Sequence, residues 1–275
     1  MGDFSLLSLA LLAAALLATG VVAGLTAGLL GVGGGIVIVP VLYYMFTALG
    51  IEQAVLMHLA VGTSLATIVA TGTSSALAHH RRGSVDMALL KRWWLPIAAG
   101  VLAGATLAGN LSGGALTLVF GVVALAVAAN MLLRREGSAL AERLPGTPLR
   151  EALGFFIGSV SVMMGIGGGT LGVPILTLFS YPIRMAVGTA AAIGLIIAVP
   201  GTLMSVWYGL DVPNRPPLSL GYVNLVGFFL IIPASVYAAP LGARIAHAIP
   251  PARLRLVFAL FLGFTGARMI YGVLT

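Results

Sequence analysis

Apolar stretches long enough to cross a lipid bilayer follow one another along almost the whole chain, and no other feature restricts the possible fold as much. A membrane helix needs about 20 apolar residues. Segments of this kind run at about 5–30, 53–78, 93–111, 114–133, 183–209, 218–246 and 252–273, with shorter ones at 36–50, 152–164 and 170–180. Soluble domains carry about a quarter charged residues. This chain carries 8%, against 60% hydrophobic, so water cannot be the solvent for most of its surface. Backbone polar groups in lipid must pair within the spanning structure, which leaves helices or a closed barrel. The strict apolar–polar alternation of barrel strands is absent. The expected fold is an all-α integral membrane protein in which the three short segments are half-helices or re-entrant arms. Met1–Gly20 superficially resembles a signal peptide, but Asp3 stands where a basic region belongs and the apolar run continues through Gly24 to Leu30. It reads as a first membrane helix.

The net charge of +7 would suggest nucleic acid in a soluble protein. Here the basic residues sit in short loops between apolar runs, so they read as topology signals and no nucleic-acid partner is expected. With the N-terminus outside and each short pair of segments (5–30 with 36–50, and 152–164 with 170–180) returning the chain to its starting side, His79–Arg92, the stretch 134–150, Arg184 and the stretch 244–255 all face the cytoplasm. Those stretches hold twelve of the fourteen Lys and Arg residues, as the positive-inside rule requires. Both termini are then outside. Trp93 and Trp94, next to Lys91 and Arg92, read as an interfacial anchor. The absence of cysteine excludes thiol chemistry and disulfides.

The chain repeats itself. Gly31-Val-Gly-Gly-Gly-Ile-Val-Ile-Val-Pro-Val-Leu42 and Gly165-Ile-Gly-Gly-Gly-Thr-Leu-Gly-Val-Pro-Ile-Leu176 agree at seven of twelve positions, 134 residues apart. Ala60-Val-Gly-Thr63 recurs as Ala186-Val-Gly-Thr189, Gly104-Ala105 as Gly242-Ala243, and Leu118-Val-Phe120 as Leu256-Val-Phe258, in the same order. The expected organisation is a first membrane repeat over 1–133, a cytoplasmic linker over 134–150 and a second membrane repeat over 151–275. Each repeat holds five segments, an odd number, so the second enters the membrane from the opposite side. Such inverted repeats serve alternating access in transporters.

Each glycine costs a helix interior about 1 kcal/mol relative to alanine, so Gly33, Gly34 and Gly35, and Gly167, Gly168 and Gly169, are expected to break their helices. Pro40 and Pro174 follow each break at the same distance, near a new helix start where proline is tolerated. A helix start exposes unpaired N–H groups and carries about half a positive charge, which attracts anions without a buried cation. Thr170 adds a hydroxyl at the second break. Thr63, Ser64 and Thr189 sit in the other duplicated motif. Gly20, Gly24 and Gly28, and Gly100 with Gly104, read instead as close helix packing. Glu52 follows the first glycines at the distance of a ribose ligand, but no strand–turn–helix unit accompanies it, and no cofactor is expected.

No Asp or Glu lies within a span; carboxylates are the usual intramembrane cation and proton sites, so a cation carrier is disfavoured. His58 precedes Gly62, Thr63 and Ser64 and is a candidate for titration or for donating to an anion. Arg268 lies in the last span, where Asn130 is its counterpart in the first repeat. It is a functional candidate or a snorkelling side chain. His79 and His80 lack a second cluster to complete a metal shell. No His-Glu-x-x-His, Gly-x-Ser-x-Gly or paired intramembrane aspartate is present, so no enzyme is expected.

The duplicated Gly-[Val/Ile]-Gly-Gly-Gly…Val-Pro motif, followed each time by Ala-Val-Gly-Thr, resembles the TauE/SafE sulfite exporter family, the TSUP permeases, over nearly the whole chain. The resemblance implies a bacterial cytoplasmic (inner) membrane protein that moves sulfite, a sulfonate or a related organic anion. Residues placed by the combined reading at the substrate are Gly33–Gly35, Gly167–Gly169, Thr63, Ser64, Thr170 and Thr189, with His58 and Arg268 beside them. The rival readings are an anion channel and a non-transporting membrane assembly factor.

Overall fold

The computed structural model describes residues 6–133, 141–245 and 251–274; Asp3 and the first part of the expected linker, 134–140, lie outside them. The described residues hold ten helices: α1 (Leu6–Leu30), α2 (Gly35–Ala48), α3 (Gln53–His80), α4 (Met87–Asn110), α5 (Gly113–Leu133), α6 (Leu149–Met164), α7 (Gly169–Leu178), α8 (Ile183–Gly209), α9 (Leu225–Ile245) and α10 (Pro251–Leu274). Five of them, α1, α3, α5, α8 and α9, are long and apolar enough to cross a membrane. The chain is thus an all-α multi-pass membrane protein. The three short segments are separate helices, and α2 and α7 each begin at the last glycine of a triplet.

The expected apolar segment at 218–246 is in part something else. Ser219–Leu220 and Val223–Asn224 form a small antiparallel hairpin, and α9 starts only at Leu225. Gly221 makes the turn at φ 56°, and the Asn224 side chain accepts the Gly227 N–H at 2.8 Å, capping the helix. Trp93 also departs from expectation. It is fully buried, its ring packed where Gly154 of α6 leaves space. Only Trp94 is exposed and free to act as an anchor.

α3 is the central helix, with 83% of its apolar window buried against 33% for α9. It packs on α8 in antiparallel fashion: Gly62 lies by Ser205, Leu65 by Gly201 and Gly72 by Leu195. Around this pair, α1 packs on α9 and α6 on α4, α3 on α9 and α8 on α4, α2 on α3 and α7 on α8, and α5 on α10. Advancing every helix by five places in the order returns the same set of pairings. The close approaches follow the same rule. Gly20, Gly24 and Gly28 of α1 lie against backbone carbonyls of α9, and Gly100 and Gly104 of α4 against those of α6. In lipid, where apolar attraction between helices is lost, small residues of this kind let backbones pack closely.

Candidate functional site

The two helix breaks meet. The Gly167 N–H donates to the Val32 carbonyl at 3.2 Å, and a Cβ on Gly33 would stand 3.5 Å from the Cα of Gly167. The backbones are so close that a Cβ on Gly35 would collide with the Gly165 carbonyl and one on Gly169 with the Gly31 carbonyl. Gly33 rests on Ile68 and Gly168 on Ile193, near mid-length of the 28-residue α3 and the 27-residue α8. The breaks therefore lie half-way along the two central spans.

Both half-helices start without a side-chain cap. The N–H groups of Gly33, Gly34, Gly35 and Ile36, and of Gly168, Gly169, Thr170 and Leu171, have no hydrogen-bond acceptor among the described residues. These are the orphan donors that a helix start leaves unpaired. Thr170 is buried, 4% exposed, and its hydroxyl has no partner. An unpaired buried hydroxyl costs about 1–3 kcal/mol. The Ser64 hydroxyl donates to the Gly165 carbonyl at 2.6 Å, tying α3 to the second break. Ser161, one turn before that break, carries a second fully buried hydroxyl without a partner. Sequence reading missed it, because a lone serine in a small-residue stretch has the look of packing.

Thr63 and Thr189 lie elsewhere, in two matching sockets. The Asn224 N–H donates to the Thr63 hydroxyl at 2.8 Å and the Asp86 N–H to the Thr189 hydroxyl at 2.9 Å. Gly62 lies under the Tyr222 carbonyl, and Gly188 under that of Ser84. Asn224 caps α9, and Asp86 caps α4 through the Leu89 N–H at 2.9 Å. Given the antiparallel pairing of α3 with α8, the sockets stand about 20 Å apart along the helix axis at 1.5 Å per residue. The glycine breaks lie between them.

The sockets differ chemically. Asp86 also accepts a hydrogen bond from the Tyr181 hydroxyl. Burial favours its neutral form, but the bonds from Tyr181, Leu89 and Ala88 and the Arg92 charge outweigh it, holding the carboxyl below its ordinary value. Burial and the Asp86 contact push the Tyr181 phenol up.

His58 belongs to the first socket rather than to the breaks. Its ring stacks on Tyr222 at 4.8 Å, its Nε2–H donates to the Ala108 carbonyl at 3.1 Å, and its Nδ1 is unpartnered. It lines a cavity of about 20 Å³ with Ser205 and Tyr208, room for one water. Arg268 is exposed on α10, 5.9 Å from the Tyr271 ring centre, and is not gathered with the glycines. His79 is held inside the bundle, its Nε2 3.0 Å from the Gly28 carbonyl.

A multi-pass bundle of helices with two half-helices starting at its core is the build of a secondary membrane transporter. Comparison with known proteins gives the particular family. Residues 16–269 match Sulfite exporter TauE/SafE, and the chain belongs to that family. It is 34% identical to a probable membrane transporter protein of Haemophilus influenzae, over 90% of this chain and 93% of that one. It is 26% identical to probable membrane transporter proteins of Bacillus subtilis, over 93% and 96%, and of Methanocaldococcus jannaschii, over 93% and 94%. No solved structure matches.

Proposed function

We propose that this transporter moves sulfite or a small organosulfur anion out of the cell, across the bacterial cytoplasmic membrane, by alternating access about an anion site between the two helix breaks. The observation that carries this reading is the meeting of two uncapped helix starts beside the buried, unpartnered hydroxyl of Thr170. Two half-charges of positive sign converge there without a buried cation. Peptide donors and a hydroxyl suit the oxygens of a sulfite or sulfonate, which is also the cargo in the family's name.

The pairing pattern supports an inverted repeat, because the principal helix pairings of one half recur five places on in the other. In this reading the Thr63–Asn224 and Thr189–Asp86 sockets close the outer and inner approaches. The positive-inside count puts both termini outside and the Asp86 socket at the cytoplasmic end.

Proteoliposomes preloaded with sulfite supply the test. Saturable efflux with counterflow is expected of the carrier, whereas single-channel currents would mean a channel. Gly34→Leu and Gly168→Leu should abolish flux while the protein still inserts; normal flux in either variant would remove the glycine site. A thermal-shift screen against sulfite, sulfate, thiosulfate, sulfoacetate and taurine then identifies the cargo, since a ligand of the folded state raises its apparent stability.

A further inference from the structure

A cluster of basic residues lies outside the glycine breaks. The starts of α4 and α6, the end of the linker and the α7–α8 loop enclose a cleft of about 520 Å³. Three guanidinium groups line it, one from each of three segments: Arg92, Arg143 and Arg150. Arg150 is paired with Glu151 at 2.6 Å. Arg92 and Arg143 have no ion pair among the described residues. The carboxylates facing the cleft are Asp86, already holding the Tyr181 hydroxyl and the Leu89 N–H, and Glu142. Two guanidiniums therefore carry no ion pair, and two carboxylates, Asp86 and Glu142, share the cleft with them.

The wall of the cleft is tied to the second helix break through the backbone. Tyr181 and Asp86 line the cleft, and the Asp86 N–H is bonded to Thr189 of α8. The next residue, Ala190, presents its carbonyl to Gly168 at the second helix break, where a Cβ would stand 2.6 Å away. Thr189 and Ala190 of α8 thus join the Asp86 end of α4 to the second helix break.

We infer that this cleft is an anion-binding vestibule in which Arg92 and Arg143 collect a small sulfonate or other oxyanion before the Tyr181–Asp86 latch admits it to the helix breaks. The inference rests on the reading that the cargo is an anion. Guanidinium groups match the oxygens of such groups in pairs.

The absence of cysteine makes the test clean. Ala88→Cys puts one thiol on the exposed wall of the cleft, and Ser180→Cys is an independent second position. In phosphatidylcholine nanodiscs, modification by sulfonatoethyl methanethiosulfonate is compared with modification by its trimethylammonioethyl analogue. The anionic reagent, itself a small sulfonate, is expected to be favoured severalfold over its ratio with free cysteine, through the two guanidiniums that carry no ion pair. Adding Arg92→Gln and Arg143→Gln should return the ratio to that of free cysteine. A parent ratio at or below that of free cysteine, or one that the two Arg variants leave unchanged, overturns the vestibule. Phosphatidylglycerol in the nanodisc distinguishes a lipid occupant: if it blocks the anionic reagent, the cleft holds a lipid headgroup and the solute vestibule is wrong. The ratio is read without flux, so a protein that moves no anion yet keeps the preference fails the transport reading alone.

Discussion

The two glycine breaks carry nearly the same letters and lie against each other, yet their backbones differ. Gly31 and Gly165 match, at φ 67° and 66°. Beyond them the first break stays left-handed, with Gly33 at 73° and Gly34 at 82°, while Gly168 has φ −63°. The residue after the triplet differs as well: Ile36 in the first break, fully packed, and Thr170 in the second, with its hydroxyl unpaired. The recurring motif therefore gives two similar frames, and the fold uses them unequally. A carrier whose halves exchange shapes needs such inequality in any one state, since identical halves would make the inside and outside alike.

Alanine at the central glycines tests the backbone difference and carries the largest expected effect. At Gly34 the new Cβ meets the Ala23 carbonyl at 2.7 Å and φ is left-handed; at Gly168 it meets the Ala190 carbonyl at 2.6 Å with φ in the ordinary region. Overpacking costs both about 1–3 kcal/mol, and the left-handed conformation adds about 1–2 kcal/mol at Gly34 alone. Thermal unfolding in detergent should rank Gly34→Ala as clearly the worse. Equal losses would mean that the two breaks share one conformation in solution. Gly35→Ala and Gly169→Ala, whose Cβ atoms meet equivalent carbonyls, should instead lose alike.

Thr170→Val tests the difference in side chains. It keeps the shape and removes an unpaired hydroxyl, so the folded protein should be as stable or gain up to about 1–2 kcal/mol, while sulfite efflux falls. A loss of stability with efflux intact would make the hydroxyl structural. Ile36→Thr should restore nothing to that variant, because the first break has a different backbone.

The smallest effect concerns the sockets. A carboxyl held below its ordinary value contributes stability that is present above about pH 4 and is lost as pH falls through its folded value. Asp86 should show this step in acid unfolding and its counterpart Asn224 should not. Asp86→Asn keeps a competent cap, costs about 1 kcal/mol at neutral pH through the weaker Tyr181 bond, and should flatten the acid side of the profile. An unchanged acid profile would show that the Asp86 socket contributes no pH dependence.

The sequence was enough to identify lipid as the solvent, helices as the spanning form and helix breaks at both glycine triplets. Each of these follows from covalent geometry or from burial repeated along a short stretch, which local pattern records. Gly20, Gly24 and Gly28 were legible as packing residues for the same reason. Where a polar side chain finds its partner is another matter. Thr63 bonds Asn224 and Ser64 bonds Gly165, 161 and 101 residues away, while Thr189 reaches back to Asp86 across 103. Trp93 turned inward because α6 offers Gly154, and Arg268 and His58 stand apart from the glycines because α10 and the Tyr222 hairpin hold them there. The Arg92–Arg143 cleft exists only because three distant segments converge. Such partners are chosen by how the helices are threaded past one another, and a hydrogen bond, effective only over about 3 Å, leaves no periodic trace in the chain that forms it.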